Sequence, residues 1–412
     1  MQPKAVPPAR PLDEAPSSRS RRGLDWLVFF VADIQTGFGP FVAVFLTSQK
    51  WTQVDIGVVL TMSGLVGLIG QVPFGAIVDA ARSVRAVAAV TLVAIGASAF
   101  AFAAWPIFLV VLAARLVHAA ASCMLGLALA SISLGLVGAD RMSERLGRNV
   151  AFASAGTGLA AAIMGATGYY LSNRAVFLLA GLLTLPALYA LFCIRHEEIG
   201  PTSEAARGAP TTAASLRASF AAFARNRSFV IFLICVLLFY LANGAMLPLA
   251  ASMVTLKSSQ AATLMVAAAI VVPQFIVTLF SPWVGLWAQR VGRKPILVLG
   301  FGALAVRGFL FASTGDPVLL TLIQVLDGVS AAVLGVLVPL TAVDVTRQTG
   351  HFNLAQGAIG CTMGLGAAAS TTLAGYVSDY AGSQTAFTML AVLAAIGFVV
   401  LVLAMPETKP QS

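Results

Sequence analysis

Gly75-Ala-Ile-Val-Asp79-Ala-Ala-Arg82-Ser-Val-Arg85 separates two long apolar runs, and 210 residues later the chain returns to the pattern as Gly285-Leu-Trp-Ala-Gln289-Arg290-Val-Gly292-Arg293-Lys294. In each copy a glycine stands four positions ahead of a polar residue, and basic residues follow. The glycine admits close approach of a second helix. Asp79, at a helix end, is expected to pair with Arg82 or Arg85. In the second copy Gln289 replaces the acid, while Arg290 and Arg293 make a fuller basic half. A charge cluster at one face of a helix bundle can latch one arrangement of two rocking halves. The plainer reading is that the arginines only anchor helices at a membrane surface.

The spacing persists on either side of this motif. Gly37 and Pro40 match Gly244 and Pro248 at offsets of 207 and 208. Arg115, His118 and Gly126 match Gln324, Asp327 and Gly335 at 209, and Gly168-Tyr169 matches Gly375-Tyr376 at 207. One such match means little in a chain with 37 glycines. A nearly constant offset at several landmarks makes the second half a diverged copy of the first.

Composition says where this duplicated chain resides. Of 412 residues, 59% are hydrophobic and 10% charged, against about 25% charged in ordinary soluble domains. Mean hydropathy is +0.91. A soluble enzyme is excluded. At about 20 apolar residues per spanning helix, the chain holds enough for twelve spans and little else. Apolar runs cover about 24–47, 54–78, 86–104, 106–137, 149–171, 175–194, 229–254, 262–287, 295–313, 317–343, 354–378 and 384–405. They are continuous, whereas barrel strands alternate over about ten residues. The expected class is an all-α integral membrane protein with twelve transmembrane helices in two pseudo-symmetric six-helix bundles.

Charge tests that register independently. Of 25 Lys and Arg, 20 fall on one side of the twelve-span arrangement, and only Lys50, Arg174 and Lys257 on the other. Arg115 and Arg307 lie inside spans. Cytoplasmic loops collect basic residues, so both termini are expected in the cytoplasm of a multi-pass protein of the bacterial inner membrane. The net charge of +9 follows from that topology, and no nucleic-acid partner is expected. Residues 1–23 read as a disordered tail, 24–194 as the first bundle, 195–228 as a linker, 229–405 as the second bundle and 406–412 as a tail. Cys123, Cys193, Cys235 and Cys361 sit within apolar runs without metal-ligand spacing, as inert small hydrophobes do. No metal site and no structural disulfide is expected.

These features resemble the major facilitator superfamily of secondary transporters over about residues 24–405. Its diagnostic Gly-x-x-x-Asp-(Arg/Lys)-x-Gly-(Arg/Lys)-(Arg/Lys) motif is kept in part by each of the two stretches quoted above. Drug-antiporter members carry Arg-x-x-Gln-Gly in the fourth helix, where this chain has Arg115-Leu-Val-His118-Ala119. The tenth run carries Gln324-Val-Leu-Asp327-Gly328, and the family's Gly-Pro pattern in the fifth helix is absent. The resemblance implies alternating access of a small-molecule substrate between the two halves, driven by a gradient and with no cofactor.

Charged residues within spans cost about 2.5–3.5 kcal/mol or more unless they face a cavity or a partner. At about 1.5 Å per residue, Asp33 and Arg115 both lie about 14 Å deep, which makes them an expected pair for proton coupling or, on the plainer reading, a static brace. His118 lies one turn from Arg115. Arg307 would snorkel from a peripheral ninth helix, and an Arg307–Asp327 pair remains open. Gln35, Thr36, Tyr240, Asn243, Gln274, Gln324 and Asp327 make up the expected substrate cavity. Pro40, Pro73, Pro248, Pro273 and Pro339 are expected to kink their helices.

No nucleotide-binding signature or catalytic constellation is present, so neither ATP-driven transport nor an enzyme is expected. A monomeric antiporter performing proton-coupled efflux of a small amphipathic compound is the leading expectation. Proton-coupled uptake of a metabolite or an organic anion, bound by Arg115, is the alternative.

Overall fold

A computed structural model describes residues 16–38, 41–51, 53–200, 218, 221–255, 259–346 and 351–409, with backbone alone in parts such as 251–270. Among the described residues all regular structure is helical. The first half comprises α1 (Ser18–Gly37), α2 (Phe41–Ser48), α3 (Gln53–Ile69), α4 (Gln71–Ala80), α5 (Val84–Ala104), α6 (Phe108–Val137), α7 (Met142–Tyr170), α8 (Asn173–Leu182) and α9 (Thr184–Cys193). The second comprises α10 (Arg227–Asn243), α11 (Met246–Thr255), α12 (Ser259–Val291), α13 (Arg293–Ser313), α14 (Pro317–Thr346), α15 (Phe352–Ala381) and α16 (Ser383–Ala404).

Several of these helices are halves of one span, and proline explains where they part. A proline removes its own bond to residue i−4 and crowds that carbonyl. Pro73, Pro186 and Pro248 point to positions 69, 182 and 244. There α3 ends at Ile69, α8 ends at Leu182, and α10 ends with Gly244 as its C-cap. Pro273 and Pro339 instead remain inside the continuous α12 and α14. Pro40 lies outside the described residues.

Helix covers all twelve apolar runs. Among the described residues nine segments are long and apolar enough to cross a membrane, or ten if α3 and α4, bent by 51°, form one span. The two runs left over are that of α1 and α2, whose residues 39–40 lie outside the described residues, and α15, whose 30 residues include many Gly, Ser and Thr. Aliphatic side chains such as Val90, Leu109 and Leu403 are more than two-thirds exposed, as helices surrounded by lipid require.

The boundaries differ from expectation at three places. Helix α1 begins at Ser18 rather than 24, because Ser17 caps it and its backbone N–H and hydroxyl both bond Glu198. The start of the expected linker is packed: His196–Glu198 forms a 3₁₀ turn, and Gly200 donates to the Gly135 carbonyl at 2.8 Å. Most of the remaining linker lies outside the described residues. At the C-terminal tail, Glu407 accepts from the Arg293 and Lys294 N–H groups at the start of α13.

Buried apolar clusters form within each half, two among residues 24–199 and one mostly among 223–405. The halves meet where α4 packs on α15 and α7 on α12. Those contacts are tightest at the arginine-rich end. A Cβ added to Gly75 would collide with the Asn353 carbonyl, and one on Gly285 with the Ser143 carbonyl. Farther along the same helices, Gly64 and Gly67 of α3, Gly165 of α7 and Gly375 of α15 have nothing within 4 Å of such an atom. The halves are sealed at the basic end, and these glycines farther along have open space beside them.

Candidate functional site

Asp79 forms the core of the seal, but with partners the sequence did not suggest. Its carboxylate is 1% exposed and accepts from Asn353 N–H at 3.2 Å, Asn353 Nδ2 at 2.8 Å and Leu354 N–H at 2.9 Å. These are first-turn donors of α15, which lack partners in their own helix. An acidic group there also meets the positive end of the helix dipole. Asn353 bonds Ser131 of α6 as well. The expected pairing of Asp79 with Arg82 or Arg85 is not formed. Arg82 is exposed, while Arg85 donates to the Phe192 carbonyl and lies 5.5 Å from that ring.

The second copy of the motif is built differently. Gln289 gives one bond, Nε2 to the Asp140 carbonyl at 3.2 Å, and Ser143 donates its hydroxyl to the Gly285 carbonyl. Arg290 is exposed and engages only through its carbonyl, which accepts from Lys409 Nζ. Arg293 turns inward to Asp344 at 3.0 Å and to the Ala288 carbonyl. Beside this face Asp25 of α1, 2% exposed, holds Arg145 at 2.7 Å and Arg148 at 2.6 Å. Sequence reasoning missed that cluster, because Asp25 lies at the edge of an apolar run and its partners are 120 residues away.

Within the first half, Asp33 and Arg115 do not pair. Asp33 is 5% exposed and its Oδ1 has no hydrogen-bond partner. It lies where α1 crosses α7 at Gly156, whose missing Cβ would fall 3.0 Å from Oδ1. Arg115 donates instead to the Phe38 carbonyl at 3.2 Å and Ser63 Oγ at 3.3 Å. His118 stacks on the Phe38 ring, with centroids 3.7 Å apart, and bonds Ser122. Phe38, at the break between α1 and α2, is therefore the shared partner of both.

In the second half the pair left open by sequence is made. Arg307 Nη1 bonds Asp327 at 2.5 Å and Asn243 Oδ1 at 2.6 Å. Arg307 is 1% exposed, so it does not snorkel. Gln324, fully buried, has no partner for either amide atom.

Between the halves lies a cavity of about 370 Å³. Its polar lining is Gln35, Gln71, Ser122, Tyr240 and Gln356, with Met363 among the apolar residues. Among the described residues no charged side chain lines it. Gln35 and Tyr240 were expected there. Thr36, Asn243, Gln274, Gln324 and Asp327 are not among the lining residues. Thr36 bonds the Ala32 carbonyl of its own helix, and Asn243 and Asp327 are held by Arg307. Gln274 packs beside Gly158 of α7. Gln71 and Gln356 escaped notice because each reads as an isolated polar residue in an apolar run. Among the described residues no cluster of His, Cys, Asp and Glu could hold a metal.

Comparison with known proteins agrees with this architecture. The family model described as Major Facilitator Superfamily matches residues 26–277 and 232–412. An uncharacterized MFS-type transporter of Mycobacterium tuberculosis, found in strains H37Rv and CDC 1551, is 36% identical over 395 residues, covering 95% of this chain and 94% of the relative. In fold, the chain is similar to the human organic anion transporter MFSD10 (TETRAN), with a TM-score of 0.71. It is also similar to the nucleoside transporter NupG, with a TM-score of 0.64. Each is 18% identical, and each alignment covers 94% of this chain and 100% of the other. With its duplicated helices, interlocked basic motifs and central cavity, this chain belongs to the Major Facilitator Superfamily.

Proposed function

We propose that the chain exports a small, uncharged amphipathic compound in exchange for protons, by alternating access of the cavity between its halves. The observation that carries this reading is the cavity itself, polar but without charge, beneath a seal at the basic end. By the basic-residue rule that end faces the cytoplasm, so the conformation is closed to the cytoplasm. Both termini then lie on the cytoplasmic side of a bacterial inner membrane, and the protein acts as a monomer with no cofactor. Uptake of an organic anion has less support, because Arg115 is not among the residues that line the cavity.

Asp33 is the proposed proton carrier. Its buried Oδ1 has no hydrogen-bond partner, and a change in how α1 crosses α7 would open the carboxyl to proton exchange with water. Arg115 and His118 tune this step through Phe38, which ends α1, rather than by direct contact. Purified protein in liposomes carrying a pH-sensitive dye tests this. Asp33→Asn is expected to retain downhill substrate exchange and lose proton-driven accumulation. Accumulation against a gradient with unchanged pH dependence would show Asp33 to be structural.

A further inference from the structure

Gln35, Gln71 and Gln356 project into one cavity, and none makes a side-chain hydrogen bond to the protein among the described residues. Neither does the Tyr240 hydroxyl. Each amide offers one acceptor and two donors, so the cavity presents several free donors beside free acceptors. The positions are not equivalent. A Cβ on Gly360 of α15 would lie 2.6 Å from Gln71 Oε1, so the Gln71 amide rests against α15 within one helical turn of Gln356. The two residues belong to opposite halves and line the cavity one helical turn from Gly75 and Asn353 of the seal.

A carboxylate or ammonium entering this space would shed water without gaining a counter-charge, which is prohibitive at a low-dielectric site. Neither Arg115 nor Arg307 is among the residues that line the cavity. A side-chain amide pairs best with a group that sets a donor next to an acceptor, as glutamine does with the edge of a base. Resting on the transport reading above, we propose that the cavity binds uncharged solutes with a carboxamide or lactam edge, gripped by Gln71 and Gln356 from opposite halves. Such a ligand bridges the halves and so favours the sealed conformation in which both amides reach it.

Cys123 also lines the cavity and supplies a native reporter. In the full-length protein with Cys193→Ser and Cys361→Ser, and Cys235 buried, the rate of Cys123 alkylation by a maleimide reads occupancy without requiring flux. Two pairs of probes differ in charge on a shared ring: nicotinamide against nicotinate, and uracil against orotate. Nicotinamide or uracil is expected to slow alkylation at millimolar concentration, while nicotinate and orotate do not. Gln71→Leu and Gln356→Leu should each weaken that protection about tenfold, the scale of a lost hydrogen bond to a buried group. Equal protection by the charged probes, no protection by any probe, or protection indifferent to both substitutions would overturn the proposal. Protection retained in a protein that moves nothing across liposomes would instead overturn the transport reading and leave this assignment standing. Transport of compounds that never protect Cys123 would overturn this assignment alone.

Discussion

Asp79, buried, and Asp327, half-buried, show two uses of a carboxylate in one chain. Asp79 is matched by neutral donors at a helix start, and its partners lie 274 residues away in the other half. Asp327 is matched by a guanidinium inside its own half. Removing one member of a buried ion pair strands the other, at about 3–5 kcal/mol, whereas replacing both is often neutral. Asp327→Ala is therefore expected to lower the midpoint of thermal unfolding in detergent strongly, and Asp327→Ala with Arg307→Met to recover most of the loss. A double variant as unstable as the single one would show the pair to be more than a matched charge. The sequence singled out Asp79 by its motif and Asp327 by its place inside an apolar run, and it left the Arg307–Asp327 pair open, but it did not suggest the partners of Asp79. Arg82 and Arg85 are close to Asp79 in sequence, yet α15 approaches closely enough to offer its own N–H groups first, so a local pairing gave way to a long-range one.

At the scale of helices, much was legible because proline and hydropathy act locally. All twelve apolar runs are helical, and the breaks before Pro73 and Pro248 fall four residues upstream, as the lost bond requires. Less legible were the ends, which depend on distant caps. Glu407 is the clearest case. Partial burial works against its charge, yet the N–H groups of Arg293, Lys409 and Lys294, together with the Arg293 charge, hold its carboxyl below the ordinary glutamate value. A carboxyl lowered on folding stabilises above its unfolded pKa, and that stability disappears as pH falls through the lower folded value. The gap in thermal midpoint between the native protein and Glu407→Gln is thus expected at neutral pH and should close below about pH 4. A gap constant from pH 7 to 3 would mean the side chain acts without its charge. The crossing glycines make a second case. Gly75→Val should wedge α4 from α15 at the basic end, while Gly64→Val, with open space around it, should burden only a conformation that closes the opposite end. Cysteine accessibility is expected to shift in opposite directions in the two variants, and a shift in the same direction would contradict the placement of the seam.

As a whole the molecule is two similar halves with dissimilar locks. Asp79 of the first motif copy accepts three hydrogen bonds from the other half, while Gln289 at the matching place in the second copy gives one. The duplication and the basic face were visible in the sequence, because repeats and charge counts survive divergence. The cavity was visible only in part, since its amides come from helices that the fold alone brings together. Hydrogen bonds to a charged group contribute about 1.5–3 kcal/mol, so loss of the Asp79 charge should move the balance between conformations about tenfold to a hundredfold. Spin labels measure this directly, with one pair at Arg82 and Arg290 across the basic end and another at Leu171 and Tyr380 across the opposite end, all exposed positions. On Asp79→Asn the first distance should lengthen while the second shortens, in matching proportions of the population. Distances that stay fixed, or that both lengthen, would contradict alternating access between the two halves.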